Sequence, residues 1–221
     1  MHSYIIERNK QNCRKKVYII LFIISFLITK FLQIALANIK LFDIPNFIKF
    51  WFSIPSFFGV FGIVYWVFNN YLWKWNIINK LLTVPNLSGD WIGFIKTSHN
   101  GQDINNKIEV KMEICQTWNQ IKIISKTNNS SSESKLGGII TDKANIKLKF
   151  EYQNQPDYDS DENLYMHIGY NIFDIKSINN ITMLTGKYFS GRSRKNHGVI
   201  KVIKKDSDLT SSDIEELLRT I

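Results

Sequence analysis

Cysteine is almost missing from this sequence: Cys13 and Cys115 are the two in 221 residues. They fall on opposite sides of two long apolar runs, so neither a disulfide framework nor a thiolate metal site can be assembled from them. A reducing compartment fits that usage. Acidic residues are scarce at the N-terminal end. Through Thr83 the chain carries 10 Lys+Arg against 2 Asp+Glu, whereas from Val84 onward it carries 18 against 17. The excess positive charge therefore belongs to the first part of the chain. The balanced remainder lacks the bulk basic charge that supplies most non-specific affinity for nucleic acid, so no DNA or RNA polymer is an expected partner.

Catalytic signatures are absent too. There is no Gly-rich phosphate loop, no nucleophile elbow and no Cys–His arrangement at useful spacing. His2, His99, His167 and His197 show no metal-ligand spacing. Asp157-Tyr158-Asp159-Ser160-Asp161-Glu162 begins like a calcium loop, but lacks the glycine at its sixth position and the glutamate at its twelfth, where Ile168 falls. It reads as a solvated acidic loop. The expectation is a protein that is not an enzyme and has no metal and no cofactor.

What the chain does have is two apolar runs. Val17 to Ala37 contains one charge, Lys30, and is long enough to cross ~30 Å of hydrocarbon. Phe50 to Phe68 contains none, and Tyr71, Trp73 and Trp75 follow it as interfacial aromatics would. These runs predict a basic N-terminus over 1–16, transmembrane helices over 17–37 and 50–72 joined by an external loop at 38–49, and a linker over 73–83. A signal peptide competes for the first run, but the run is too long and no small-residue cleavage site follows. Arg8, Lys10, Arg14, Lys15 and Lys16 precede the first span, while the loop holds Lys40 and Lys49 around Asp43. The positive-inside bias places the N-terminus and everything after the second span in the cytoplasm. Lys30 either snorkels or packs between helices, or marks an ion path.

From Asp90 the pattern changes to alternation. Lys107 to Ile114 and Asn145 to Glu151 alternate polar and apolar residues, the period of a strand with one wet face. Eight strands are expected near 90–98, 106–116, 119–127, 133–141, 145–152, 163–174, 181–190 and 197–204. An eight-stranded antiparallel closed barrel, lipocalin-like, over residues 84–205 suits this spacing, and a β-sandwich is the competing architecture. In an up-and-down order the longer polar connections, after the first, third, fifth and seventh strands, gather at one mouth. Ser212 to Glu215 has the form of a capping box, so 206–221 is either a short helix or a tail.

Gly191 to Gly198 holds Arg192, Arg194 and Lys195, no acid, and a glycine at each end. A planar guanidinium fork matches phosphate oxygens, so a phosphate-bearing ligand at the mouth is one reading. A solvated basic hairpin is the other. Trp91, in Gly89-Asp90-Trp91, reads as core closure.

The Val84 to Gly93 segment after two spans, the Phe150 to Pro156 segment, and Gly186 to Arg194 together resemble the CD-NTase-associated β-barrel effectors of bacterial CBASS anti-phage immunity. The resemblance implies that a CD-NTase synthase supplies a cyclic dinucleotide or related cyclic oligonucleotide as second messenger. The barrel would bind it, the protein would form a homo-oligomer, and the spans would disrupt the lipid bilayer of the inner membrane. On that reading Arg192 and Arg194 contact phosphates, Tyr152 and Tyr188 stack on bases, and Asn154 and His167 read base edges. Tyr188 and Gly186 share one strand face, Met183, Thr185 and Phe189 the other, so one set alone points inward. A membrane-anchored binder of an apolar small molecule and an envelope scaffold are the rival functions.

Overall fold

The computed structural model of the protein describes residues 1–6, 8–38, 57–82, 84–99, 102–142, 145–159, 165–178, 181–191 and 196–205. The chain divides into two compact units, Arg8–Val84 and a second made of Met1–Glu7 with Pro85–Ile221.

The first unit is helical. Helix α1 spans Arg8–Asn38 and helix α2 spans Phe57–Asn70. A single 3-10 turn, Leu72–Lys74, leads into a short helix α3, Asn76–Leu82. Within α1 the segment Arg14–Ala35 is long and apolar enough to cross a bilayer. At 1.5 Å per residue the described part of α2 is roughly 21 Å long. Among the described residues there is thus one helix of spanning length where two were expected; residues 50–56 of the second run lie outside them. The two helices pack antiparallel through aromatic contacts, Tyr18 with Tyr65 at 6.1 Å and Phe22 with Phe57 at 4.8 Å between ring centroids. Val17, Leu21, Ser25 and Thr29 form a buried stripe at helical spacing. Ser25 and Thr29 donate their hydroxyls to the carbonyls of Leu21 and Ser25, at 2.7 and 2.8 Å, so neither leaves an unsatisfied donor. The rest of α1 exposes Leu27, Phe31 and Ile34, each at least 60% accessible. Lys30 is on this exposed face, with Nζ 3.4 Å from Gln33 Oε1 and 5.8 Å from the Phe26 ring centre.

The second unit is a sheet. After β1 (His2–Ile6) come β2 (Gly89–His99), β3 (Gln102–Gln116), β4 (Gln120–Lys126), β5 (Ser130–Asp142), β6 (Asn145–Pro156), β7 (His167–Ile178), β8 (Ile181–Ser190) and β9 (Asn196–Lys204). Strands β2 to β9 follow one another up and down, each antiparallel to the next, and β9 returns to pair with β2. The alternation therefore located each of the eight expected strands, with shifts at their ends. The seventh strand, β7, begins at His167 and not near 163, and β6 continues to Pro156.

Among the described residues the ring holds nine strands, not eight. Strands β4 and β5 pair over three registers only, Ile124–Glu133, Ser125–Ser132 and Lys126–Ser131. Beyond those they part, and β1 fills the seam. It runs antiparallel to β4 at His2–Ile121 and Ser3–Gln120, then parallel to β5 from Tyr4–Gly137 to Ile6–Ile139. Ser134, beside the bulge between Ser134 and Leu136, bridges the fork. Its Oγ accepts from Ile123 N at 2.9 Å and meets His2 Nε2 at 2.9 Å. Among the described residues every strand of the ring has a neighbour on both sides, which limits the open edge that would template aggregation. Five residues directly before a membrane-type helix carry no alternation long enough to announce a strand.

Trp91, Trp118, Ile114, Ile121, Ile123, Ile139 and Leu148 are fully buried in the interior. Trp91 donates Nε1 to Leu87 O at 3.0 Å. It serves as core closure, as read from the sequence. Gln116, 2% exposed, ties three segments together: its Oε1 accepts from Leu87 N at 2.8 Å, and its Nε2 donates to Pro85 O at 3.3 Å and Tyr4 Oη at 3.2 Å. Gly89 has φ +127°, a conformation that L side chains rarely adopt, where the chain turns into β2. A second apolar cluster, Met183 and Ile203 with Ile92, Phe94 and Ile181, sits on the outward rows of β2, β8 and β9.

Candidate functional site

Alternation along β6 sends Leu148, Phe150, Tyr152 and Asn154 inward, and their burial follows that period. Register carries the inward row to β7 as His167, Gly169, Asn171 and Phe173, then to β8 as Gly186, Tyr188 and Ser190. Phe150 and Phe173 stack with ring centres 5.9 Å apart. Toward the end bearing the Thr127–Ser130 turn the apolar interior gives way to a cavity of about 600 Å³.

Four residues singled out in the sequence line this cavity: Tyr152, Asn154, His167 and Tyr188. On β8 it is the Gly186–Tyr188 set that faces inward, while Phe189 is 44% exposed. Arg192 and Arg194 lie outside the described residues, although Ser190 and Asn196, which flank their segment, both line the cavity. The acidic 157–162 loop is described only as far as Asp159.

Both tyrosines lie across a glycine of the neighbouring strand. A Cβ at Gly169 would collide with Tyr152 Cζ and Oη, and a Cβ at Gly198 with Tyr188 Cε1. Gly169 is the register partner of Tyr152, and Gly198 of Tyr188. Each tyrosine ring thus covers the bare backbone of the glycine beside it. Tyr188 is also held at its tip, where its hydroxyl hydrogen-bonds Thr97 Oγ1 on β2. The His167 ring stands edge-on to Tyr152, 6.3 Å between centres, and its Nδ1 lies 3.2 Å from Tyr165 O.

The remaining lining mixes hydroxyls and amides with the apolar Phe94, Ile95, Ile108 and Ile200. Apart from Lys107 and Glu109, its described residues bring no ammonium or carboxylate. Ser190 Oγ donates to Asn196 O and accepts from Asn196 N, both at 2.8 Å, which fixes the base of the 192–195 connection. Asn154 donates Nδ2 to Ser130 Oγ at 3.2 Å. The Oδ1 atoms of Asn154 and Asn171 are buried and have no hydrogen-bond partner among the described residues. A buried amide oxygen left in this way is uncommon and calls for an explanation. Thr97, Ser132, Asn171 and Ser190 were not picked out from the sequence. Asn171 was within reach, since two-residue steps from His167 along the same strand arrive at it; Thr97 and Ser132 are small polar residues with no motif around them, and Ser190 lay within the Gly186 to Arg194 segment without being singled out.

No group of three His, Cys, Asp or Glu that could hold a metal occurs among the described residues. Two tyrosine rings and a set of hydroxyls and amides thus share one cavity. CD-NTase-associated protein 15 of Yersinia aleksiciae is 30% identical over 211 residues, a stretch that covers 92% of this chain and 97% of the relative. Residues 82–204, which take in β2 to β9 and leave out β1, match the family described as Cap15, cyclic dinucleotide receptor domain. The chain belongs to that family.

Proposed function

We propose that this protein is a CBASS effector whose strand ring binds a cyclic dinucleotide, and that binding drives oligomerisation and disruption of the inner membrane. The observation that carries the reading is the convergence of Tyr152, Asn154, His167 and Tyr188 on one cavity of about 600 Å³. That volume is in the ordinary range for small-molecule sites. Bases stack on the two tyrosine faces, an interaction worth about 1–3 kcal/mol per base. Phosphates face the end of the cavity lined by Ser190 and Asn196, and the guanidinium forks of Arg192 and Arg194, in the sequence between those two, match phosphate oxygens. The family description and the relative's name support a cyclic dinucleotide made by a CD-NTase. The serines, threonines and asparagines of the lining offer hydrogen bonds that an apolar ligand leaves unmade, which weighs against the lipocalin-like alternative.

The membrane part rests on α1, on the second apolar run and on connectivity. The chain leaves the ring at Ile6 and re-enters at Gly89, so the segment between starts and ends on one side of a membrane. It must cross an even number of times, which favours two spans over one. The basic residues before the first span put that side in the cytoplasm. Ligand acts by binding the oligomerising state better than the resting one.

Full-length protein reconstituted in dye-loaded vesicles tests this directly. Dye release on adding one of a panel of cyclic dinucleotides, abolished in Tyr152→Ala/Tyr188→Ala, is the expected result. Intact vesicles under a dinucleotide shown to saturate the protein would remove the membrane-disrupting role.

A further inference from the structure

We propose that residues 206–221, which lie outside the described residues, dock on the outer face of β8 and β9 and cover Met183 and Ile203. This docking needs no ligand and stands apart from the function proposed above. Side chains alternate along each strand, and Leu184 and Val202 fill the interior of the ring. Their neighbours Met183 and Ile203 therefore point outward, where one face of an antiparallel sheet ordinarily meets water. Yet Met183 is 1% exposed and Ile203 0%, with Ile92 and Ile181 packed against them. Two polar atoms on the same outward rows are shut off from water as well. Thr185 Oγ1 and Asp174 Oδ1, on register partners of β8 and β7, are buried with no hydrogen-bond partner among the described residues. Lys201, the partner of Thr185 on β9, has its pKa lowered by burial ahead of any neighbouring charge. The principal neighbours of β2, β8 and β9 among the described elements are strands of the ring itself, which cannot cover its outside.

The segment that follows β9 has the position and the chemistry to be that cover. Lys205 N donates to Asp90 O at 2.8 Å, so the chain leaves β9 still paired with β2, beside Ile92. Residues 206–212 reach about 23 Å when extended, enough to turn back across two strands. Beyond them Ile214, Leu217, Leu218 and Ile221 recur at the spacing that gathers apolar residues on one helical face. The rest of the segment carries Asp206, Asp208, Asp213, Glu215 and Glu216 against one base, Arg219. The outer face offers the complement of both. Its apolar centre is bordered by Lys176, the register partner of Met183, and by Lys201, one outward step from Ile203. The face is already covered within a single chain, so its occupant is a part of this chain and not a second copy. Docked there, the segment straps the β2–β9 pairing that returns the ring on itself.

Zero-length cross-linking tests the docking. Full-length protein in detergent, mixed from isotope-labelled and unlabelled preparations, is treated with a carbodiimide that joins carboxylates directly to amines. Cross-linked peptides are then read by mass spectrometry, with Lys122 and Glu133, 3.2 Å apart, as the internal control. The expected result is coupling of Asp213, Glu215 or Glu216 to Lys176 or Lys201 within one chain. Leu217→Asp/Leu218→Asp is expected to lose that coupling, keep the control and melt several degrees lower. If the double variant does not fold, Leu217→Ser carries the same comparison. Coupling of these acids to lysines elsewhere, coupling only between labelled and unlabelled chains, or none while the control forms would overturn the proposal. So would coupling and melting unchanged in the folded variant.

Discussion

A tyrosine laid across a glycine does two jobs, and substitutions separate them. Tyr188→Phe removes the hydroxyl that meets Thr97 but keeps the ring, so dinucleotide affinity is expected to change little. Tyr188→Ala removes the platform and is expected to weaken binding by about 1–3 kcal/mol, roughly tenfold to a hundredfold. Paired titrations of the two variants check this. Both tyrosines were visible in the sequence as aromatics on alternating strands. Their orientation was not, because it depends on Gly169 and Gly198 of neighbouring strands, and strand register is not printed in a single segment. Lys201 is a second residue with a defined sign. Burial first, then the charges of Lys96, Lys107 and Lys176, hold its ammonium pKa below the ordinary 10.5. Between the depressed folded value and the unfolded one, the unfolded chain binds more protons, so stability rises with pH through that window. Lys201→Met is therefore expected to melt higher than wild type at neutral pH, with the advantage shrinking as pH rises toward the ordinary lysine value of 10.5. Melting curves of both proteins across that range read it out.

At the scale of elements the main surprise is β1. Tyr4 and Ile6 are 2% and 1% exposed, and each buried side chain of this kind contributes about 1.5–3 kcal/mol. Deleting residues 2–6 is expected to lower the melting temperature by several degrees and to leave an open seam beyond the three β4–β5 registers. Such a seam invites pairing with another chain, so the same deletion, and a fragment starting at residue 84, should self-associate without ligand. Light scattering on both decides the point; a monodisperse, equally stable fragment would show the strand to be dispensable. The eight later strands were legible because each runs seven residues or more between turn residues, and some, such as Lys107 to Ile114, alternate strictly. Strand β1 was hidden because its five residues draw their pairing from partners more than 110 positions away.

For the whole molecule, sequence pattern separated an apolar helical part from a strand-rich part, and the two compact units follow that division. The place where β1 belongs reorders this picture, since the ring is built from both sides of the helices and the receptor part of the chain is not a simple C-terminal domain. Tyr152, Asn154, His167 and Tyr188 could be named in advance because they are the unusual polar and aromatic residues on inward rows near loop ends. Asn171 was within reach by two-residue steps from His167, but it has no motif around it to single it out among the many asparagines. Any assay of sensing should therefore use the complete chain. The most direct measurement is a calorimetric titration of the full-length protein in detergent with a panel of cyclic dinucleotides. The account predicts saturable binding of at least one of them at micromolar concentration or below, lost in Tyr152→Ala/Tyr188→Ala. No binding by the folded wild type, or undiminished binding by the double variant, would contradict it.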